Sequence, residues 1–411
     1  GSTHTGKSGI EKFYENFIHG SPGFKEIEVD AKQNVIRVLQ EKKSIPGKNI
    51  NLTIDLKLQK IAEKAFGNKK GALVAIDPNN AEVLAYVSQP TFNPSLFING
   101  ISQKAWDSLN DKKSKAMLDR VVSGLYPPGS TLKPFVALAA LDNNVRKPPF
   151  SIFDTGRFKM PNSSKVFRDW KKDGHGTVDM IKAISVSCDT FFYGLGLELG
   201  IPKLNKVLDD FGFGKTTNID IYGEKKGLVA NKQWKKEKFK QSWYAGETAI
   251  TAIGQGFTLV TPLQLANATA KLANPSLTLN PHILLNVDGI KQNKEEGKNI
   301  KKYADKNLQW IKEGMINVTK VGGTAAFLGK NSEYQMASKT GTAQLFGLAI
   351  DEEYDEDTVP DELKDHALFI SYAPANKPSI VIAVIVENGG HGGSVAGPIA
   401  KSVMDSYLKK K

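Results

Sequence analysis

The sequence predicts an α+β fold, arranged as an α-β-α sandwich in which helices cover both faces of one sheet. Two strand patterns joined by an Asp-Pro-Asn-Asn turn run from Ala72 to Ser88, and a hairpin pattern, HALFISYAPANKPSIVIAVIVENG, starts at His366. Several helical patterns lie between these strand pairs, and a last helix follows Pro398. A strand pair, a block of helices, returning strands and a final helix are typical of a sheet flanked by helices.

The composition is that of an ordinary globular protein. The chain has 411 residues, 40% hydrophobic and 24% charged, which is enough for one large domain and a smaller one. Its longest apolar run, 380–386, has the length of a strand and is too short to span a membrane. The net charge of +12 comes from lysines spread in short pairs, which favours a solvated surface over nucleic-acid binding. The single cysteine, Cys188, excludes an internal disulfide.

Local patterns place the elements along the chain. Residues 51–66, NLTIDLKLQKIAEKAF, predict a short strand followed by a helix. A helix is predicted from Ser130 to Leu141, because Pro127-Pro128-Gly129 cannot extend it backwards. A strand is predicted near 335–343, and the strongly acidic segment 351–365 is predicted to be a mobile, solvated loop. Further helices are predicted at 177–199, 203–211, 261–273 and 308–320.

Ser130 and Lys133 form the first pair of candidate catalytic residues. Ser130 lies at the start of a predicted helix, where free backbone N–H groups and the helix dipole favour a developing negative charge. The spacing of three places Lys133 on the same face, where its deprotonated amine can act as the base for Ser130. The alternative is a helix-capping serine beside a surface lysine, and the pair alone favours this alternative.

Two later motifs strengthen the catalytic interpretation. Ser187-Cys188-Asp189 opens a hydrophobic helical pattern, and Lys339-Thr340-Gly341-Thr342-Ala343 ends a strand-like segment. Each motif is weak alone, but S-x-x-K, S-x-N/D and K-T-G in this order are the set found in serine acyl-transfer enzymes. Acyl transfer needs a nucleophile, a base, an oxyanion hole and a proton path to the leaving amine. Ser130 is the predicted nucleophile and Lys133 its predicted base.

The other motif residues have predicted roles around the nucleophile. Ser187 can relay a proton between the two lysines and the leaving nitrogen. Lys339 supplies positive potential for a substrate carboxylate, aided by the hydroxyls of Thr340 and Thr342. Gly341 lets the substrate lie close against its strand. The backbone N–H groups expected to form the oxyanion hole are those of Ser130 and Thr342.

Over nearly its whole length the sequence resembles the class B penicillin-binding proteins, the monofunctional D,D-transpeptidases that cross-link peptidoglycan. GKSGIEKFYE resembles the end of their non-catalytic pedestal, and LTIDLKLQKIAEKA resembles the opening of their catalytic domain. FRDWKKDGHG (167–176) and GQGFTLVTPLQLA (254–266) are typical of the elongation-type members. The resemblance implies the serine β-lactamase-like transpeptidase fold. It assigns residues 1–50 to a pedestal remnant, with Gly1-Ser2 interpreted as a tag scar, and residues 51–411 to the transpeptidase domain.

The resemblance also implies the reaction and its setting. D-Ala-D-Ala stem peptides and β-lactam antibiotics are expected to acylate Ser130, and an amine of a neighbouring strand is expected to accept the peptide. Asp189 is expected to contact the substrate, although most of the superfamily has Asn there. Expected partners are a polymerising glycosyltransferase of the elongation machinery and a cell-shape scaffold protein that binds the pedestal; no nucleic acid and no organic cofactor are expected. The natural protein is expected to be a single-pass inner-membrane protein with this portion in the periplasm.

Asp154, Asp169, His175 and Cys188 form a second candidate set, with the spacing D-x14-D-x5-H-x12-C. Oxygen, nitrogen and sulfur donors suit a tetrahedral zinc ion. Spacing alone favours turn aspartates, a loop histidine and a buried cysteine. The positions match, one by one, a zinc site of some elongation-type enzymes, so the resemblance implies a structural zinc that holds the 154–176 loop against the Ser187 motif.

Other functions are open as alternatives. GSTHTGKSG (1–9) fits the phosphate-binding pattern G-x-x-x-x-G-K-[ST], but that loop must follow a strand, so a P-loop nucleotide-binding protein is a remote alternative. A division-type transpeptidase, a D,D-carboxypeptidase, a β-lactamase and a penicillin sensor share the serine chemistry. FRDWKKDGHG favours the elongation type, and no clear E-x-x-L-N segment supports a class A β-lactamase.

Overall fold

The structure is a computed structural model that describes residues 5–98, 100–297, 299–344 and 360–409. The helices in these ranges are α1 (Gly9–Phe13), α2 (Glu15–Ile18), α3 (Leu56–Phe66), α4 (Gln103–Leu109), α5 (Arg120–Ser123), α6 (Lys133–Asp142), α7 (Met180–Ser185), α8 (Asp189–Leu199), α9 (Ile201–Asp210), α10 (Lys232–Phe239), α11 (Ala245–Ala252), α12 (Pro262–Ala273), α13 (Asp305–Asn317), α14 (Ala326–Gly329) and α15 (Ala396–Leu408). The strands are β1 (Phe24–Val29), β2 (Val35–Lys42), β3 (Ile50–Leu52), β4 (Gly71–Ile76), β5 (Val83–Gln89), β6 (Ser151–Asp154), β7 (Arg157–Lys159), β8 (Val166–Arg168), β9 (Gly176–Asp179), β10 (Leu284–Val287), β11 (Ile290–Lys291), β12 (Ala337–Ala343), β13 (His366–Ala373) and β14 (Ile380–Val386). Short 3-10 turns lie at Pro94–Phe97, Gly129–Leu132 and Asp361–Leu363.

A five-stranded antiparallel sheet in the order β12-β13-β14-β4-β5 forms the centre of the molecule. The central strand β14 is buried along its whole length, which explains why its sequence, IVIAVIV, is apolar without alternation. β13 pairs with β14 through Ile370 and Ala383, and β4 pairs with β14 through Leu73 and Val384. Strand β12 lies at one edge of this sheet, so one of its sides is unpaired among the described strands.

Helices cover both faces of the sheet, and the side chains of β14 divide between two cores. Val381 and Ala383 belong to the core that contains residues of α6, α8 and α12. Ile382 and Val384 belong to the core that contains residues of α3 and α15. The division follows from the alternation of side chains across a strand. The α-β-α sandwich predicted from the sequence is confirmed.

Most elements lie where the sequence patterns predict them. The strand and helix of residues 51–66 are β3 and α3, and the two predicted strand pairs are β4–β5 and β13–β14. The helices predicted at 203–211, 261–273 and 308–320 are α9, α12 and α13, with slightly shifted ends. Most of the predicted acidic loop falls within 345–359, outside the described residues, as does the predicted tag scar Gly1-Ser2.

The prediction of one helix at 177–199 is wrong. The segment contains the end of β9 and then two helices, α7 and α8, separated by Val186–Cys188. Ser187 has a φ of 58°, which cannot continue a right-handed helix. The Cys188 thiol then caps α8 by accepting the N–H of Phe191 at 3.4 Å. Apolar residues keep helical spacing across the break, so periodicity alone conceals it.

The N-terminal residues form α1, α2 and the β1–β2 hairpin. The hydroxyl of Tyr14 in this part donates to Asp220, whose carboxylate also accepts the N–H groups of Ile283 and Leu284 at 2.7 and 2.8 Å. Residues 5–8, which include the Gly6-Lys7-Ser8 part of the phosphate-binding pattern, form no strand and lead into the five-residue helix α1. The predicted boundary at residue 50 coincides with the start of β3 and stays a prediction.

Within the described ranges, no helix is both long and apolar enough to cross a lipid bilayer.

Candidate active site

The predicted nucleophile lies in a turn that contacts the edge strand β12. The α-helix predicted from Ser130 begins at Lys133, because Gly129–Leu132 forms a 3-10 turn. Gly129 has a φ of 52°, and a Cβ atom there would lie 2.7 Å from the Thr342 carbonyl oxygen. Only glycine permits both the positive φ and this close approach. The turn therefore places Ser130 beside the K-T-G motif.

Lys133 joins this turn to the Ser187 motif. Its side chain is fully buried. Its ammonium group donates to the Ser187 carbonyl oxygen at 2.7 Å, to Ser187 Oγ at 3.1 Å and to Asp189 Oδ1 at 2.6 Å. The alternative in which Lys133 is only a surface charge is wrong.

Lys339 bonds to the same serine hydroxyl. Its Nζ donates to Ser187 Oγ at 2.8 Å and to the Thr340 carbonyl oxygen at 2.9 Å. Burial lowers the pKa of Lys339 well below its ordinary value, and the charge of Lys133 lowers it further, against the opposing effect of Asp189. The Ser187 hydroxyl thus lies within hydrogen-bonding distance of both amines, a geometry suited to passing a proton between them.

Asp189 balances the charge of Lys133. Both of its carboxylate oxygens have protein partners, since Oδ1 accepts from Lys133 and Oδ2 accepts the Trp170 N–H at 3.3 Å. Burial raises the pKa of Asp189, and the charge of Lys133 opposes that rise. A neutral Asn could not balance a buried ammonium group, which gives a physical reason for Asp at this position. Its predicted contact with substrate stays a prediction.

The K-T-G strand is fixed by contacts along its length. A Cβ atom on Gly341 would lie 2.8 Å from Thr131 Cγ2, so a larger residue would push β12 away from the nucleophile turn. The Thr342 carbonyl oxygen accepts the side-chain amide of Gln255 at 3.1 Å. These contacts hold an edge strand against which an extended peptide can lie.

Thr324 belongs to the site, although sequence patterns did not predict it. Its hydroxyl lies 2.8 Å from that of Thr340, and its N–H donates to the Ser185 carbonyl oxygen at 3.3 Å. It therefore links the strand that carries Lys339 to the end of α7, two residues before Ser187. No short-range sequence signal marks Thr324, because its partners lie in separate segments.

Trp170 is a second unpredicted residue beside the Ser187 motif. Its indole N–H donates to the Val186 carbonyl oxygen at 3.1 Å, and its backbone N–H donates to Asp189. The side chain nevertheless remains 60% exposed and offers an aromatic surface at the site. The sequence signal was a single aromatic residue within the polar segment RDWKKDG.

Three of the four predicted metal ligands form a cluster that the fourth, Cys188, contacts. One ligand atom from each of Asp154, Asp169 and His175 lies within 4.8 Å of the others. The Cys188 thiol donates to Asp154 Oδ2 at 3.4 Å, and His175 Nε2 lies 3.1 Å from Asp169 Oδ1. The fold therefore brings Asp154, Asp169 and His175 into one cluster, and Cys188 contacts this cluster through Asp154.

The electrostatics of this cluster depend on burial and hydrogen bonds. Burial alone would raise the pKa of Asp169, but hydrogen bonds from His175 and the Thr190 N–H lower it to about 2. Burial and the negative charge of Asp169 raise the pKa of the Cys188 thiol. In the absence of a metal the thiol is thus protonated at neutral pH.

Comparison with known proteins identifies the family. The model for the penicillin-binding protein transpeptidase domain matches residues 71–405, and the model for the penicillin-binding protein dimerisation domain matches residues 1–52. The peptidoglycan D,D-transpeptidase MrdA of Acinetobacter baumannii is 43% identical over 412 residues, or 99% of this chain. The chain spans 61% of the length of that relative. The chain belongs to the penicillin-binding protein transpeptidase family.

Solved structures agree with this assignment. Pseudomonas aeruginosa PBP2 in complex with WCK 5153 has a TM-score of 0.85 and 41% identity, covering 98% of this chain and 84% of that one. Helicobacter pylori PBP2 in complex with MreC has a TM-score of 0.85 and 35% identity, and the match covers 98% of this chain and 72% of that one. A penicillin G acyl-enzyme complex of Mycobacterium tuberculosis penicillin-binding protein A has a TM-score of 0.73 and 26% identity, and the match covers 89% of this chain and 82% of that one. The predicted transpeptidase fold is confirmed.

Proposed function

We propose that the chain is the catalytic portion of an elongation-type peptidoglycan D,D-transpeptidase that acts through an acyl-enzyme on Ser130. The observation that carries the proposal is the position of Ser187 Oγ, 3.1 Å from Lys133 Nζ and 2.8 Å from Lys339 Nζ, beside the turn that holds Ser130. A nucleophile turn, a shared proton relay and an edge strand are the parts that acyl transfer requires.

In the acylation step, Ser130 Oγ attacks the carbonyl carbon of the penultimate D-Ala of the donor. Lys133 accepts the Ser130 proton. It does so in its deprotonated form, in which the amine no longer makes all three of the hydrogen bonds that it donates to Ser187 and Asp189 as an ammonium group. The backbone N–H groups of Ser130 and Thr342 stabilise the negative oxygen of the tetrahedral intermediate. The C–N bond then breaks, Ser187 passes the proton to the leaving nitrogen, and free D-Ala departs.

In the transfer step, the amine of the acceptor strand attacks the Ser130 ester. The amine loses a proton through the Ser187–Lys133 pair, and that proton returns to Ser130 Oγ as the ester bond breaks. The product is a new amide cross-link and a free serine. During acylation, the donor peptide lies along β12, where Lys339, Thr340 and Thr342 bind its terminal carboxylate, and this carboxylate leaves with the free D-Ala.

The proposal extends to a role in cell elongation and to the proteins that would bind this one. Support comes from the relatives named MrdA and from the H. pylori PBP2–MreC complex. By analogy, a cell-shape scaffold protein would bind the N-terminal part, and a polymerising glycosyltransferase would supply glycan strands. The whole protein would be anchored in the inner membrane, with this portion in the periplasm.

A turnover experiment tests the proposal against the other serine functions. The chain is incubated with penicillin, and the adduct is followed by intact-mass spectrometry after excess drug is removed. The adduct is expected to persist for many minutes, because a transpeptidase site lacks the fast hydrolysis of a β-lactamase. Clearance within seconds would identify a β-lactamase instead.

We also propose that Asp154, Asp169, His175 and Cys188 bind a structural zinc ion. The donor set fits, since carboxylate, imidazole and thiol groups are ligands that zinc prefers; three of the residues cluster, and Cys188 contacts Asp154 of that cluster. Bound zinc would fix the loop of residues 154–176 against α8. Loading the site would release the Cys188 proton, because zinc binds the thiolate.

Metal analysis of Cys188→Ser provides a direct check of the zinc proposal. Zinc content is expected to fall from about one ion per chain towards zero, and thermal stability is expected to fall with it. Mass spectrometry of the metal and a melting curve with and without chelator give both readouts. His19→Gln, a substitution in the N-terminal part, serves as the control and should retain zinc. Wild-type chain without stoichiometric zinc, or unchanged stability of Cys188→Ser, would contradict the proposal.

A further inference from the structure

A cluster of aromatic and basic side chains lies near the nucleophile turn but outside the three motifs. We propose that α10 and residues 254–257 form the binding surface for the acceptor strand of the cross-linking reaction. Its lysines pair with the carboxylates of the acceptor stem peptides, and its aromatic rings contact the apolar faces of sugar rings. This inference rests on the transpeptidase function proposed above and adds the acceptor site to it.

Gly254 and Gln255 place this surface beside the nucleophile. The Gly129 N–H donates to the Gly254 carbonyl oxygen at 2.9 Å, and a Cβ atom on Gly254 would lie 1.9 Å from the Gly129 carbonyl oxygen. The Gln255 side chain then bonds to Thr342. Phe257 follows three residues after Gly254, so their Cα atoms are at most about 11 Å apart. The surface thus begins at the edge of the catalytic turn.

Three aromatic rings form the apolar part of the surface. The ring centroid of Phe257 lies 5.1 Å from that of Trp234 and 5.4 Å from that of Phe239. Trp234 and Phe239 are themselves 5.6 Å apart. None of the three belongs to the hydrophobic cores formed by the described residues, and Phe239 is 45% exposed. The exposed ring of Phe239 is therefore available for contact with a ligand, and the half-buried rings of Trp234 and Phe257 pack beside it.

Helix α10 carries the positive part of the surface. The segment NKQWKKEKFK, residues 231–240, contains five lysines and one glutamate. Lys235 is buried, pairs with Glu247 and lies 4.3 Å from the ring centre of the exposed Tyr244. The other four lysines are exposed and form no ion pair with any described carboxylate; they are Lys232, Lys236, Lys238 and Lys240.

The chemistry of the acceptor matches this surface. An acceptor stem peptide must bring its amine to the Ser130 ester while the donor occupies β12, so its remaining carboxylates need a separate cationic surface nearby. Exposed ammonium groups attract such carboxylates over a distance and act mainly on the rate of association. An anionic lipid surface shares this charge but would not require aromatic rings so close to the nucleophile turn.

The test compares two sets of three lysine substitutions with the same loss of charge. One variant, called the α10 variant, carries Lys236→Gln and Lys238→Gln on α10 and Lys240→Gln at the residue that caps its C-terminus. The control carries Lys57→Gln, Lys60→Gln and Lys64→Gln, which remove exposed lysines from α3 in the layer on the other face of the sheet. Acyl transfer is measured with a thioester donor and uncross-linked glycan strands as acceptor, and penicillin acylation is measured separately. A second acceptor is the same strands with their carboxylates amidated.

The α10 variant is expected to raise the acceptor KM about tenfold, as three charge contacts at the rim of a site would produce. Penicillin acylation should stay within about twofold of wild type. The α3 variant should match wild type, and amidated strands should not distinguish the three proteins. Phe239→Ala should raise the acceptor KM further without slowing penicillin acylation.

Equal acceptor KM values for the α10 and α3 variants would overturn the inference. It would also be overturned if the α10 variant kept the wild-type preference for strands with free carboxylates over amidated strands. Weaker binding of the α10 variant to phosphatidylglycerol vesicles, with an unchanged acceptor KM, would assign the surface to a membrane and also overturn it. If wild-type chain is not acylated by penicillin, the proposed function fails instead. The two failures are therefore distinguishable.

Discussion

Penicillin acylation of the Lys133→Arg variant is expected to be slower than that of wild type by a factor of about 10²–10⁴, the usual contribution of a general base. Arginine keeps a positive charge opposite Asp189, but its guanidinium group is not deprotonated in proteins and cannot accept the Ser130 proton. Stopped-flow measurement of the acylation rate gives the result, and a melting curve confirms that the variant is folded.

Lys301→Arg is the matched control for Lys133→Arg. The Lys301 ammonium group lies 2.7 Å from the carboxylate of Asp142, the last residue of α6. Lys301→Arg therefore changes a second lysine–aspartate pair on the same helix, at the end away from Ser130. Its acylation rate should equal that of wild type. A wild-type rate in Lys133→Arg would show that another group takes the Ser130 proton.

Arg120→Met is expected to lower the free energy of unfolding by about 3–5 kcal/mol, a large part of the usual total of about 5–15 kcal/mol. Arg120 is 1% exposed, and its Nε donates to Glu387 Oε1 at 2.8 Å. Its other donors bond to the carbonyl oxygens of Ser114 and Lys115 at 2.8 and 3.1 Å. Methionine would leave these acceptors and a largely buried carboxylate without their partner. Guanidinium chloride denaturation measures the loss.

Two controls separate this effect from a general loss of charge. Arg37→Met breaks an exposed pair with Glu28 on the β1–β2 hairpin and should cost less than about 1 kcal/mol. Adding Glu387→Leu to Arg120→Met should recover part of the stability, because no unpaired charge is then buried. Equal small losses in Arg120→Met and Arg37→Met would contradict the account.

The same pair predicts a pH dependence. Burial would raise the pKa of Glu387, but hydrogen bonds from Arg120 and Tyr126 hold that pKa below its ordinary value of 4.5. A carboxyl with a lowered folded-state pKa stabilises the fold fully above its unfolded pKa, and loses this contribution as pH falls through the folded value. The stability advantage of wild type over Arg120→Met should therefore be largest at neutral pH and shrink as the pH falls into the acid range.

The sequence predicted the central elements because their signals are local. Strands β4, β5, β13 and β14 are apolar runs bounded by turn residues, and the sheet buries those runs directly. Helix periodicity failed at 177–199, since it reports which side chains are buried but not whether the backbone is continuous. The positive φ of Ser187 breaks the helix without changing the apolar pattern. The short strands β6 to β8 also carried too few residues to give a pattern.

The residues of the site could be predicted from the sequence, but the hydrogen bonds and ion pairs between them could not. Three motifs identified the residues around Ser130 because their order along the chain is distinctive. The pairing of Lys133 with Asp189, and the link from Thr324 to Thr340, join segments that no spacing rule relates. Cys188 was predicted as a metal ligand, whereas its hydrogen bond to the Phe191 N–H, which begins α8, required the structure.

Mapping the penicillin adduct tests the central claim, that Ser130 is the nucleophile. The chain is labelled with penicillin, digested, and analysed by tandem mass spectrometry alongside Ser130→Ala and Ser187→Ala variants. One adduct is expected, on the peptide that contains Ser130 and at that side chain. Ser130→Ala should remain unlabelled, while Ser187→Ala should be labelled slowly at Ser130. Labelling of Ser130→Ala, or an adduct on Ser187 in the wild-type chain, would contradict the account.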